Sequence, residues 1–288
     1  MSRAASGDTT GTGVSLPPVE RDIIVSDDVS LRIREWPGSG PPLLLIHGFL
    51  GSGRSWGDLP GRLESAHVVA VDLPGHGASS GARSPEDVAV VRVAGLLNEL
   101  QERVFAGPAA WLGYSMGGRI ALAAAAEGIP MERLLLESAG PGLATEAERR
   151  ERRRVDRRRA DALLAAGIEA FVTDWLRMPL FRGLADLPPK RQALARALRC
   201  GQDPKRMAAW LLGGGTGSQP DYRPRLARVA VPVHLLVGEW DSKYVGLAQE
   251  MADQLPRAEV RVASGAGHLV HLESPDAWVG WVHESLTA

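Results

Sequence analysis

Ala109-Ala-Trp-Leu-Gly-Tyr-Ser-Met-Gly-Gly-Arg119 is the stretch from which the fold can be read. Ala109 to Tyr114 is short and almost wholly apolar, the composition of a strand covered on both faces. After Ser115 the chain changes to Ile120-Ala-Leu-Ala-Ala-Ala-Ala126, strongly helix-forming and slim enough to pack close to a sheet. A strand that runs into a helix with almost no loop needs a strained turn, and Gly113 and Gly117 remove the Cβ atoms that would obstruct it. This is the G-x-S-x-G elbow, which lifts a serine oxygen above the carboxyl edge of a parallel sheet at a helix N-terminus. Arg119 lies in the first turn of that helix, where the macrodipole disfavours a cation. Either it turns to solvent or pairs with an acid, or it is held beside Ser115 to take a carboxylate in a bidentate fork.

Outward from the elbow, the chain alternates strand and helix. Asp22 to Val25 and Val29 to Glu35 flank an Asp-Asp turn and read as an antiparallel pair at a sheet edge. Pro41 to His47 is a central parallel strand ending in His47-Gly-Phe-Leu50, with a short helix expected near Trp56 to Leu63. Val68 to Leu73 is another buried strand, closing in Asp72-Leu-Pro-Gly-His-Gly77. Pro85 to Val104 has helical spacing with Ser84 as the expected N-cap. Arg133 to Ser138 follows as a strand. From about Pro141 some eighty residues read as helices, and Val231 to Val237 resumes the sheet. A helix (Val245 to Leu255), a strand (Glu259 to Ala263) and a last helix (Pro275 to Leu286) complete the series. The expected architecture is therefore a mostly parallel, doubly wound α/β sheet. Residues 20–142 and 226–288 would form its core and 143–225 a helical lid over the carboxyl edge, where ligands bind in such sheets.

A serine hydroxyl needs a histidine to take its proton and an acid to orient that histidine. In an elbow protein the chain order is serine, acid, histidine. Asp241, in Gly238-Glu-Trp-Asp241, and His268, in Gly265-Ala-Gly-His268, each follow a buried strand, so both fall at the edge that carries Ser115. His271 is the rival base and Glu239 the rival acid; strand-end spacing favours His268 and Asp241. His47 and His76 sit in glycine turns, where backbone hydrogen bonding accounts for them. The donors for a developing oxyanion are expected to be the backbone amides of Met116, at the helix N-terminus, and Phe49, after the first central strand.

Glu148-Arg-Arg-Glu-Arg-Arg-Arg-Val-Asp-Arg-Arg-Arg159 is the most basic segment of the chain. A solvated face explains most of it, Arg149, Arg153 and Arg158 included. Successive helical residues turn by about 100°, however, so some of Arg152, Arg154 and Arg157 should face the cleft. Trp175, Pro179 and Phe181 read as lid packing or as a wall for a ligand. Gln219 offers an amide in the glycine-rich loop Gly213 to Pro220.

The chain has 288 residues and a net charge of −1, which gives no global reason to expect nucleic acid or anionic membrane as a partner. Cys200 is the only cysteine, which excludes an internal disulfide and suits a reducing compartment. Residues 1–19 are polar and lack the apolar core of a signal peptide, so a disordered tail is expected. No apolar run approaches a membrane span. A soluble, cytoplasmic enzyme acting on a small molecule is the expectation. No cofactor or metal requirement is expected, because no His/Cys/carboxylate cluster has ligand spacing and no G-x-G-x-x-G opens a βαβ helix.

The elbow, His47-Gly-Phe, Asp72-Leu-Pro-Gly-His-Gly, Gly238-Glu-x-Asp-Ser-Lys and Gly265-x-Gly-His are common to many α/β-hydrolases. More selective are Gly113-Tyr-Ser-Met-Gly-Gly-Arg119, Glu137-Ser-Ala-Gly-Pro-Gly-Leu143 with its arginine-rich helix, and Thr216-Gly-Ser-Gln-Pro220. Together they resemble the 2-succinyl-6-hydroxy-2,4-cyclohexadiene-1-carboxylate synthases of menaquinone biosynthesis, over roughly residues 40–288. The resemblance implies a lyase that eliminates pyruvate from a cyclohexene bearing succinyl, carboxylate and enolpyruvyl groups, without an acyl-enzyme. It implies that Tyr114, Arg119, Arg152, Trp175 and Gln219 line the substrate pocket. A further lid arginine maps to Arg199 by local pattern and to Arg196 by ungapped count. The alternative is a serine hydrolase (esterase, thioesterase or C–C bond hydrolase) using the same three residues. Arg119 and Arg152 separate the two, since a hydrolase of neutral esters has no use for them.

Overall fold

The computed structural model describes residues 17–63 and 65–288; of the tail expected over residues 1–19, positions 1–16 lie outside them, and Val19 belongs to the first strand. Eight strands form one sheet: β1 (Val19–Ser26), β2 (Val29–Trp36), β3 (Pro42–Ile46), β4 (His67–Val71), β5 (Ala110–Tyr114), β6 (Arg133–Glu137), β7 (Val233–Gly238) and β8 (Ala258–Ala263). Their order in the sheet is β1-β2-β4-β3-β5-β6-β7-β8. β1 and β2 pair antiparallel with each other, β2 pairs antiparallel with β4, and the other ladders are parallel. Leu43 to Ile46, Val68 to Val71 and Leu134 to Leu136 are all buried, as strands covered on both faces must be.

Helices α1 (Val90–Val104), α2 (Met116–Ala126), α6 (Ser242–Ala252), α7 (Val270–Glu273) and α8 (Pro275–Thr287) flank the sheet. One apolar core joins α1, α2 and α6 to one face; the other, with Trp56, Trp278 and Trp281, covers the opposite face. From β3 the chain steps to β4 on one side and then crosses to β5 on the other. The ends of β3 and β5 therefore border the crevice where strand order reverses, the usual ligand position in open α/β sheets.

Between β6 and β7 lie α3 (Glu146–Leu176), α4 (Pro189–Cys200) and α5 (Pro204–Gly213), with no strand among them. Helix α3 opens with a capping box, Thr145 and Glu148 satisfying each other's amides. It breaks at Gly167, whose φ of 81° lies in the left-handed region that glycine enters without strain.

Local boundaries also differ from expectation further along the chain. The helix expected near Trp56 is two separate 3₁₀ turns, Gly53–Trp56 and Leu59–Arg62, with Pro60 and Gly61 in the second. Ser84 caps nothing: the Asp87 carboxylate accepts the amides of Arg83 and Ser84 and holds a separate turn, and α1 begins only at Val90. Helix α6 starts directly behind Asp241 rather than at Val245.

Candidate active site

Ser115 sits at the junction of β5 and α2 with φ 51° and ψ −106°, a conformation that costs a non-glycine residue about 1–3 kcal/mol. Crowding of the elbow is what makes glycine necessary beside it. A Cβ on Gly117 would lie 2.1 Å from the Ile46 carbonyl oxygen, and one on Gly113 would lie 2.5 Å from the Gly117 backbone. β5 registers against β3 through Gly113 and Ile46, so the missing side chains let α2 settle onto the end of β3.

The turns after β7 and β8 bring Asp241 and His268 to the same point. His268 Nδ1 lies 2.6 Å from Asp241 Oδ2, and His268 Nε2 lies 3.0 Å from Ser115 Oγ. With Nδ1–H donated to the carboxylate, Nε2 is left to accept the serine proton. The ring is 1 % exposed, closed in by Tyr114, Phe181 and Tyr244 at centroid distances of 5.4, 6.2 and 4.7 Å. Glu239 is instead exposed and accepts from Ser264 Oγ and the Gly265 amide. His271 is buried against Glu137, its Nδ1 2.7 Å from Oε1. Neither rival residue reaches Ser115 in this arrangement.

The amides of Phe49 and Met116 flank the elbow, and neither has a protein acceptor among the described residues. The Phe49 ring lies edge-on to Trp175 at 5.1 Å, so the loop after β3 is in contact with the helical segment. His47 Nε2 accepts the Leu73 amide at 3.0 Å, while Nδ1 lies 2.7 Å from the Gly48 carbonyl. Both hydrogen bonds fit a neutral ring, and burial pushes its pKa down to about 4. His76 packs between Phe49, His47 and Trp210, and burial lowers its pKa well below the usual histidine range.

Arg119 neither swings to solvent nor pairs with an acid. Its Nη1 donates to Gln219 Oε1 at 2.6 Å and its Nη2 to the Gly214 carbonyl at 2.9 Å, both neutral acceptors. Desolvation lowers its pKa to about 10, with the Arg152 charge acting in the same direction. Gln219 is itself buried, and its Nε2 has no partner among the described residues. A half-buried guanidinium beside an unused amide donor is a ready receptor for an anion.

Arg152 faces inward, but Arg154 and Arg157 do not. Arg154 is 71 % exposed and Arg157 is exposed as well. The inward stripe of α3 runs through Arg152, Asp156 and Arg159, one helical turn apart each time. Arg152 Nε lies 2.8 and 2.9 Å from the two Asp156 oxygens, which leaves the Nη atoms without a protein partner among the described residues. Arg149 and Arg153 are not merely solvated: they donate to the carbonyls of Leu143 and Gly217. Arg158 is 63 % exposed.

Arg199 and Arg196 part ways on α4. Arg196 is exposed and donates to Thr173 Oγ1. The Arg199 guanidinium lies 6.0 Å from the Phe181 ring, and its Nε is buried without a partner among the described residues; burial lowers its pKa. Trp175 stacks on Phe171 and meets Phe181 at 6.0 Å. Tyr114 is buried under the loop after β3, and burial raises its phenol pKa.

Sequence reading did not single out Asp156, Arg159, Tyr244 or Glu137 for the site. For the first two a signal exists: Asp156 stands four residues after Arg152 and three before Arg159, the spacings that bring helical side chains together. Tyr244 and Glu137 carry no comparable local pattern.

Residues 43–281 match the model of the Alpha/beta hydrolase family. A Bacillus subtilis (strain 168) protein, provisionally named 2-succinyl-6-hydroxy-2,4-cyclohexadiene-1-carboxylate synthase, is 36 % identical over 93 % of this chain and 98 % of its own length. The synthase of that name from Salmonella paratyphi C (strain RKS4594) is 36 % identical over 85 % of this chain and 94 % of its own. The MenH structure from S. aureus superposes with a TM-score of 0.83 at 34 % identity, covering 91 % of this chain and 98 % of that one.

Proposed function

This chain belongs to the 2-succinyl-6-hydroxy-2,4-cyclohexadiene-1-carboxylate synthases of the alpha/beta hydrolase family, and from that premise we propose how it works. It is a lyase of menaquinone biosynthesis. It releases pyruvate from 2-succinyl-5-enolpyruvyl-6-hydroxy-3-cyclohexene-1-carboxylate, with residues 143–225 as the lid over the site.

The double bonds of substrate and product dictate the chemistry. A 3-ene becomes a 2,4-diene when the proton at C2 leaves and the C5–O bond breaks. The C2–H electron pair forms C2=C3, the old C3=C4 pair moves to C4=C5, and enolpyruvate departs and ketonises to pyruvate. In our reading Ser115 Oγ takes the C2 proton and passes its own to His268 Nε2, while Asp241 steadies the ring as it becomes cationic. Because C2 is α to the succinyl carbonyl, negative charge gathers on that oxygen, where the amides of Phe49 and Met116 would meet it. Arg119, Arg152 and Arg199, with Tyr114, Trp175 and Gln219, would hold the carboxylates and the ring.

One observation carries this reading over the hydrolase alternative. Arg119 is half-buried one turn from Ser115 with only neutral acceptors among the described residues, a costly arrangement unless an anion completes it. The test is to incubate the protein with the enolpyruvyl cyclohexene and follow pyruvate release beside a panel of p-nitrophenyl esters. Rapid pyruvate release with slow ester cleavage supports the lyase. Efficient ester cleavage without pyruvate release would replace it with a hydrolase.

A further inference from the structure

Arg159 lies two helical turns beyond Arg152, about 10 Å along α3. The Asp156 carboxylate between them is 2 % exposed, and among the described residues it is the one carboxylate that both guanidinium groups reach: Arg152 Nε at 2.8 Å and Arg159 Nη1 at 3.5 Å. Arg119 is near enough to feel both Arg152 and Asp156. This corner of the molecule thus sets three guanidinium groups against one carboxylate. A substrate bearing several carboxylates supplies the missing charge; the protein's own contacts do not.

The other contacts of Arg159 are weak. Its guanidinium lies 5.4 Å from the Trp175 ring and its Nη2 lies 3.5 Å from Met178 Sδ. Desolvation lowers its pKa, and the Arg152 charge lowers it further. On its other side is a groove of about 330 Å³, lined by Arg158, Arg159, Phe171, Trp175 and Met178, and by Asp174, which is exposed and already paired with Arg177. Trp175 forms the wall between that groove and the Phe49 loop.

We propose that Arg159 is a further carboxylate-binding, specificity-determining residue, and that Asp156 is a positioning residue that holds Arg159 and Arg152 as one unit. Arg159 takes the substrate carboxylate nearest the groove, while Arg119 and Arg152 take one nearer Ser115. This rests on the lyase reading.

The test replaces Arg159 with Met, which keeps the stem over Trp175 and removes the charge, and with Lys, which keeps a charge. Arg154→Met on the exposed face is the control. With the enolpyruvyl cyclohexene, Arg159→Met should lower kcat/KM by about 30-fold or more, chiefly through KM, as loss of a partly desolvated charge pair does. Arg159→Lys should recover most of that, and Arg154→Met should stay within about threefold of the parent protein. Calorimetric titration with tricarballylate and with succinate gives a second readout that needs no turnover: Arg159→Met should weaken tricarballylate far more than succinate. Arg159→Met within threefold of the parent in both assays would mean that Arg159 only packs on Trp175, and the proposal falls. If the parent protein releases no pyruvate but binds tricarballylate through Arg159, the lyase reading fails and the carboxylate site stands. If it does neither, both fall.

Discussion

The main-chain carbonyl of Glu137 accepts the amide of Ser115 at 2.9 Å, so the elbow serine hangs from the end of the neighbouring strand. The carboxylate of the same Glu137 reaches the other way. It accepts the His271 amide at 3.0 Å, lies 2.7 Å from His271 Nδ1, and accepts Trp278 Nε1 at 2.9 Å. One fully buried residue therefore ties α7, which begins two residues after His268, and α8 to the turn that carries Ser115.

Glu137→Ala strands those donors without water, at about 1–3 kcal/mol for each that stays unpaired. The expected loss is at least about 3 kcal/mol of unfolding free energy in a urea titration. A loss below 1 kcal/mol would mean that the network is slack and that Glu137 does not brace the site.

Ser115→Ala, His268→Ala and Asp241→Asn should each lower kcat by several orders of magnitude, about 10⁴-fold or more by analogy with serine hydrolases. Circular dichroism spectra should stay native. His271→Ala should cost stability more than turnover, because its ring serves Glu137. Near-normal turnover of His268→Ala together with a crippled His271→Ala would reverse the assignment of the base.

Arg119→Ala and Arg152→Ala should each lower kcat/KM by about 30-fold to several-thousand-fold, the equivalent of about 2–5 kcal/mol for an anion left unpaired in a partly desolvated cleft. Arg154→Ala should change it less than about threefold. Steady-state kinetics on all three, with thermal melts beside them, decides the matter. Equal small effects would make the basic helix a solvated face and favour the hydrolase.

Acid should destabilise the fold through His47 and His76. Both have depressed pKa values in the folded state, so as pH falls below about 6.5 the unfolded chain binds protons that the folded chain refuses, for His47 down to about pH 4. Their contribution is complete above about pH 6.5 and is lost as pH falls below it. His76→Phe should fit the same aromatic nest and flatten part of the slope, since neither nitrogen of His76 has a partner among the described residues. Urea midpoints at pH 7 and pH 4.5 measure this; an unchanged slope in His76→Phe would assign it to other groups.

What could be read from the sequence, and what could not, follows from the range of the forces involved. The parallel strands were legible because burial on both faces leaves continuous apolar runs such as Pro-Leu-Leu-Leu-Ile46 and Val-Val-Ala-Val71. Asp241 and His268 were legible because residues that follow parallel strands share one edge of the sheet. The inward face of α3 was harder, since its charge runs all round and gives no apolar stripe to orient it. The inward face carries the buried Asp156, Ala160 and Leu163, with Arg152 and Arg159 on the same side and Arg154 and Arg157 opposite. The contact between Arg119 and Gln219 spans a hundred positions and has no local signature. Ser84 lost its capping role to Asp87, a competition between two good acceptors three residues apart.

The grip of Asp156 on Arg152 has a consequence for how a ligand is received. An unrestrained arginine gives up about 1.5–2 kcal/mol of rotamer freedom when it is immobilised. Here the Nε is already anchored, so that ordering happens as the chain folds and not when the ligand arrives. In the proposed function, the Nη edge would then meet an incoming carboxylate as a preorganised surface. A lysine at position 152 would carry the same charge yet freeze its side chain afresh at every encounter, and the affinity it lost would measure how much of the site's binding strength was built in during folding.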